Sequence, residues 1–166
     1  HGLIDKRNAY EESMRVPMIA WAPGTIQEES EGDEVILNTD IAPTVLDIAG
    51  GSMPDGHTVD GRSFMPLIRK EKQEIHESLF FEVNYHAAFE PSRAVRTKRW
   101  KYVRRFDPRN SPVLCHCDDS ITKTQWINSG WQEIPPADEA LFDLILDPNE
   151  KENLVHNPKY ADTLKT

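Results

Sequence analysis

Several basic side chains in this sequence stand where they could do chemistry. Lys6 stands four residues before Tyr10-Glu11, in a polar stretch that opens His1-Gly2-Leu3-Ile4-Asp5. An ammonium is a compact charge with three donors. Taken alone, such a lysine reads as a solvated surface charge, and His1 reads as a lone terminal histidine. Glu11 and Glu12 read as a helix-start charge pair. Arg15, just before Val16-Pro17, reads as an ion-pair partner that braces Glu11 or Glu12. Arg93 and Arg96 fall in a strand-like run and are read as sharing one face, solvated or paired with acids such as Glu82. Cys115 and Cys117 are the only cysteines, one residue apart. A disulfide across that spacing is strained. Zinc sites use wider spacing and four ligands, and no second pair exists. They read as ordinary thiols in a loop.

The elements that must position these groups follow from pattern. The chain has 166 residues, enough for one domain or a piece of a larger one. A chain of about 150 residues buries roughly 70% of its unfolded surface. Hydrophobic residues make up 38% and charged residues 28%, as in a globular domain. The net charge of -9 argues against a nucleic-acid partner, which needs a basic footprint. It suits an anionic substrate only if the basic residues are focused in one place. No apolar run approaches 18 residues, so no membrane span is expected. The start, without Met or leader, reads as the interior of a longer protein.

Met18–Ala22 is a short apolar run between Pro17 and Pro23-Gly24, and it reads as a buried strand. Val35-Ile36-Leu37 is a second short run. Residues 40–49 read as a helix, with Pro43 in the first turn and Gly50-Gly51 at the end, and with Ile41, Val45 and Ile48 on one face. A short helix is expected over 63–70. Leu79–Val83 reads as a strand, residues 93–97 and 100–104 as a hairpin, and Ala140–Leu144 as a fourth strand. Residues 107–137 read as a long loop-like excursion. A terminal helix begins at Pro158. The aromatics Phe81, Trp100, Tyr102 and Phe142 read as sheet core. The expected fold class is α/β: the end of an α/β domain over residues 1–70, truncated, then a small antiparallel sheet of about four strands with a C-terminal helix over 71–166. The boundary is expected near residues 71–77.

Several motifs occur together in order. They are Lys6 before Tyr10-Glu11; Arg15-Val16-Pro17 with Pro23-Gly24; Asp40-Ile41-Ala42-Pro43-Thr44-Val45-Leu46-Asp47; Asp60-Gly61-Arg62-Ser63; Arg93-Ala94-Val95-Arg96-Thr97; Trp100-Lys101-Tyr102; and Leu141-Phe142-Asp143-Leu144 with Asp147-Pro148-Asn149-Glu150 and Asn153-Leu154. In this order they resemble the C-terminal portion of sulfatases of the alkaline-phosphatase-like superfamily. The resemblance extends loosely to bacterial members similar to heparan N-sulfatases.

That resemblance implies a sulfuric-ester hydrolase acting on a sulfated carbohydrate. In the family a formylglycine hydrate, made from Cys or Ser in a Cys/Ser-x-Pro-x-Arg segment, attacks sulfur. Calcium clamps the sulfate oxygens, and Lys and His side chains hold the others and assist the leaving alcohol. Neither Cys115 nor Cys117 has that context. The nucleophile and calcium ligands are expected upstream of this chain, which alone is expected to be inactive. Lys6 matches the family's sulfate-contacting lysine. His1, His86, Arg93 and Arg96 are candidate substrate contacts. A periplasmic, secreted or lysosomal location is implied. The alternatives are a phosphonate or phosphate ester hydrolase of the same superfamily, or a non-catalytic carbohydrate-binding or interaction module.

Overall fold

The computed structural model describes residues 4, 5 and 7–165. In chain order the helices are α1 (Glu11–Met14), α2 (Ile41–Ile48), α3 (Met65–Ile68) and α4 (Ile121–Asn128). The strands are β1 (Leu79–Tyr85), β2 (Phe89–Arg96), β3 (Trp100–Arg105) and β4 (Glu139–Asp143). The chain divides into two compact units: Met18–Leu79, and the residues up to Pro17 together with Phe80 onward.

The Met18–Leu79 unit is organised by a buried carboxylate. Asp40 closes a 3-10 turn, Asn38–Asp40, and is fully buried. Its Oδ2 accepts the Leu37 N–H at 2.7 Å and its Oδ1 accepts the Arg62 N–H at 2.7 Å. His76 Nε2 lies 3.0 and 2.8 Å from the two oxygens. One turn on, the Thr44 hydroxyl donates to the Asp40 carbonyl at 2.6 Å and accepts the Phe64 N–H at 3.0 Å. Ser63 Oγ donates to Asp47 at 2.7 Å. Two of the sequence motifs are thus halves of one lock, because buried polar groups persist only when hydrogen-bonded. Gly61 shows how closely the halves approach: a Cβ there would sit 2.1 Å from the Thr39 carbonyl oxygen.

Two expectations change in this unit. Met18–Ala22 forms no strand, and Ile19 is 95% and Trp21 85% exposed. An apolar strand is held by ladder partners on both sides, and among the described residues no strand runs beside it. Helix α2 forms as read, but it buries Thr44 while Ile41, Val45 and Ile48 face solvent. The Asp40 network draws the polar side inward.

The other unit is a four-stranded sheet in the order β1-β2-β3-β4, with β2 antiparallel to β3 and β3 to β4. Register sets Ala94 opposite Val103, and Val103 opposite Ala140. On that face Ala9, Phe142 and Leu144 complete a core, with Tyr10, Met14 and Phe81 packed against it. On the other face Leu141, Leu154 and Val155 pack with Trp100, Tyr102 and Tyr160. Asn153 fixes the chain there: its Oδ1 accepts the Leu141 N–H at 3.0 Å, and its Nδ2 donates to the Glu139 carbonyl at 2.9 Å. The C-terminal helical segment is two 3-10 turns, Pro158–Tyr160 and Thr163–Lys165. The 107–137 excursion is more ordered than a loop. It carries α4, whose N-cap Ser120 accepts the Lys123 N–H and whose last turn is followed by Gly130 with φ 90°.

Candidate active site

Helix α1 follows directly on the segment around Lys6, and it is fastened to the sheet by buried charges. Glu11 opens the helix. Strand alternation turns Arg96 and Lys101, which are register partners, toward it. Arg96 grips Glu11 with two bonds, Nε to Oε1 at 3.0 Å and Nη2 to Oε2 at 3.2 Å. Lys101, fully buried, donates to Glu11 Oε1 at 3.2 Å and lies 2.9 Å from Glu150 Oε1. Glu150 Oε2 accepts the Glu11 N–H at 2.6 Å. Burial alone would raise the Glu11 pKa; the Arg96 bonds and the Lys101 charge outweigh it and hold Glu11 below the usual carboxylate range. Glu150 shifts the other way, because burial outweighs the Glu11 amide and the Lys101 ammonium.

A second attachment lies just before α1. Arg7 Nη1 donates to the Cys115 carbonyl at 2.9 Å, and Nη2 donates to Asp118 Oδ1 at 3.1 Å. The Asp118 N–H donates to the Ile4 carbonyl at 3.0 Å. Arg7 also pairs with Asp5. The excursion therefore holds the chain on both sides of Lys6. Beside this clasp, His116 is buried, with Nε2 3.2 Å from Glu90 Oε2. Burial lowers its pKa. Glu90 also pairs with Arg105 at 2.9 Å.

Lys6 and His1, the candidate catalytic residue and one candidate contact, lie outside the described residues. His86 is exposed in the turn between β1 and β2. Arg93 is exposed, paired with Glu82 at 3.0 Å, and stacked with its guanidinium carbon 5.4 Å from the Phe106 ring centre. Arg96 is committed to Glu11. Arg93 and Arg96 do not share a face: positions three apart on a strand project oppositely. Arg15 is exposed, and it is Arg96 and Lys101 that brace Glu11. Lys101 and Glu150 stood in sequence motifs without a role of their own, and Arg7 and Asp118 were not singled out. Lys101 had a signal, since it shares strand parity with the core residue Val103. The long-range partners of Arg7 had none.

Cys115 and Cys117 are free thiols, and burial raises the Cys117 pKa. Among the described residues no group of three or more His, Cys, Asp or Glu side chains could hold a metal ion. The described residues thus offer no cluster for the calcium that the resemblance implies. Among the described residues no helix is long and apolar enough to cross a membrane.

The four-stranded sheet thus carries motif residues that fasten α1 in place. Residues 1–119 match the family described as N-sulphoglucosamine sulphohydrolase, C-terminal, and the chain belongs to that family. It is 32% identical over 169 residues to an ulvan-active sulfatase of Formosa agariphila, covering 96% of this chain and 32% of that protein. It is 32% identical over 175 residues to the steryl-sulfatase of Homo sapiens, covering 96% and 28%. A solved structure from Bacteroides fragilis, described as a candidate sulfatase, shares the fold with TM-score 0.60 at 24% identity, covering 94% of this chain and 27% of that one. The chain thus spans about a third of the length of these relatives.

Proposed function

We propose that this chain is the C-terminal part of a sulfuric-ester hydrolase that acts on a sulfated carbohydrate. Lys6 contacts a sulfate oxygen and helps the alcohol leave. As the S–O bond breaks, negative charge gathers on the leaving oxygen and on the sulfuryl oxygens. A positioned ammonium stabilises that charge more in the transition state than in the ground state. The formylglycine nucleophile and the calcium ligands belong to polypeptide outside this chain. His86 and Arg93, both exposed, are the candidate contacts for an acidic sugar, Arg93 on leaving Glu82; Arg96 instead holds Glu11.

One observation carries this reading. The segment that contains Lys6 is fixed at Ile4 and Arg7 and, through buried charge, at Glu11, a set of attachments that a random surface lysine does not call for. The family's description names a sulphated amino sugar, and the ulvan-active relative supports a carbohydrate substrate. The test is hydrolysis by the isolated chain and by the full-length protein that carries it. Sulfated sugar, steryl sulfate and phosphonate monoester serve as substrates. We expect no turnover from the isolated chain, and the highest kcat/KM of the full-length protein on the sulfated sugar. Preference for the phosphonate or the sterol, or turnover by the isolated chain, would contradict the reading.

A further inference from the structure

We propose that the excursion over residues 107–137 positions the catalytic segment, with Asp118 as the positioning residue and Arg7 as its handle. This rests on the reading of Lys6 above. Three bonds carry it, all between Ile4–Arg7 and Cys115–Asp118. Arg7 donates to the Cys115 carbonyl at 2.9 Å and to the Asp118 carboxylate at 3.1 Å. The Asp118 amide returns a bond to the Ile4 carbonyl at 3.0 Å.

The arrangement has the form of a clasp. The backbone on the N-terminal side of Lys6 is held through Ile4, and the residue on its C-terminal side is held through a guanidinium. Arg7 is well suited to this: its planar fork reaches two acceptors in fixed geometry, where a lysine would make a point contact. Its side chain is 17% exposed, so the pairing is partly shielded from solvent.

The acceptors are themselves held. Cys115 lies within the 3-10 turn Leu114–His116 and Asp118 just after it, and His116 of that turn is buried beside Glu90. Behind Asp118 the chain enters α4 through the Ser120 cap, and Lys123, nearly buried, donates to the Cys117 carbonyl at 2.8 Å. The excursion is thus stiffened exactly where it meets the catalytic segment. The other end of that segment is fixed by the Glu11 network. The described residues on either side, Ile4, Arg7 and Glu11, are thus anchored, as a positioned charge on that segment requires.

Asp118 is a clean point of attack, because its side chain is 54% exposed and its truncation removes little packing. The experiment is a double-mutant cycle in the full-length protein, with kcat, KM and thermal midpoint measured on a sulfate ester. We expect Asp118→Ala to lower kcat by about 10- to 100-fold, as small misplacements at a reacting centre do. KM and the midpoint should scarcely move. Asp118→Asn, which keeps an acceptor for Arg7, should retain most of the activity. In the Lys6→Ala background, Asp118→Ala should cause no further loss, since there is then no ammonium to misplace. Asp162→Ala, whose side chain is 96% exposed and pairs with Lys165 near the end of the chain, is the control and should behave as wild type. An equal loss from Asp118→Ala in both backgrounds, or no loss in either, would overturn the proposal. If Lys6→Ala itself keeps full turnover, the reading of Lys6 has failed, and the positioning role falls with it.

Discussion

Glu11 and Glu150 share one buried ammonium, and their pKa values move apart. The signs have opposite consequences. Glu11, held low, contributes stability that is full above its unfolded value of about 4.3 and is lost as pH falls through the lower folded value. Glu150, raised by burial, opposes folding when ionised. That cost is full above its folded pKa and vanishes below about 4.3. Wild type should therefore gain stability relative to Glu150→Gln as pH falls from about 7.5 to 4.5. Urea unfolding of both proteins across this range gives the difference directly. A gap that does not change with pH would contradict the assignment of the raised carboxyl to Glu150. His116, beside Glu90, acts oppositely. Burial lowers its pKa, so it weakens the fold as pH drops below about 6.5. Comparing the two proteins cancels that contribution.

At the scale of elements, four residues from three parts of the chain make one joint: Glu11 on α1, Arg96 and Lys101 on β2 and β3, and Glu150 in the turn after β4. Removing one partner of a buried pair leaves the others charged and unpaired, at a cost of about 3–5 kcal/mol. Lys101→Met keeps volume and loses the charge, so denaturant unfolding should show a loss of about that size. A loss below about 1 kcal/mol would mean that the carboxylates find other partners or water. Sequence showed the strands well, because alternation and the Thr97-Lys98-Arg99 bend are local signals. It placed Arg93 and Arg96 on one face although their spacing forbids it. It showed α2 but not its orientation, because the Asp40 lock depends on Arg62 and His76, far along the chain. The Met18–Ala22 run looked like a strand because composition reports burial preference, while a strand also needs partners. Helix α4 was missed for its weak apolar periodicity, although Ser120 offered a cap.

At the scale of the whole molecule, motifs recognised in order turn out to be framework. Asp40 and Gly61 lock one unit. Arg99 grips Asp143 at 2.7 Å, while Lys101, Glu150 and Asn153 tie the other. Lys6 is the motif residue for which the described structure offers a tethered segment and the resemblance offers a chemical task. Steady-state kinetics of full-length Lys6→Ala on a sulfated sugar, with thermal unfolding measured in parallel, tests this most directly. Loss of one positioned charge contact to a transition state costs about 10²–10³ in turnover, so kcat should fall by that factor with the unfolding midpoint unchanged. Lys6→Arg should not restore full turnover, because a planar fork does not place a point charge in the same spot. A Lys6→Ala protein that keeps more than about half its turnover would show Lys6 to be an ordinary surface residue.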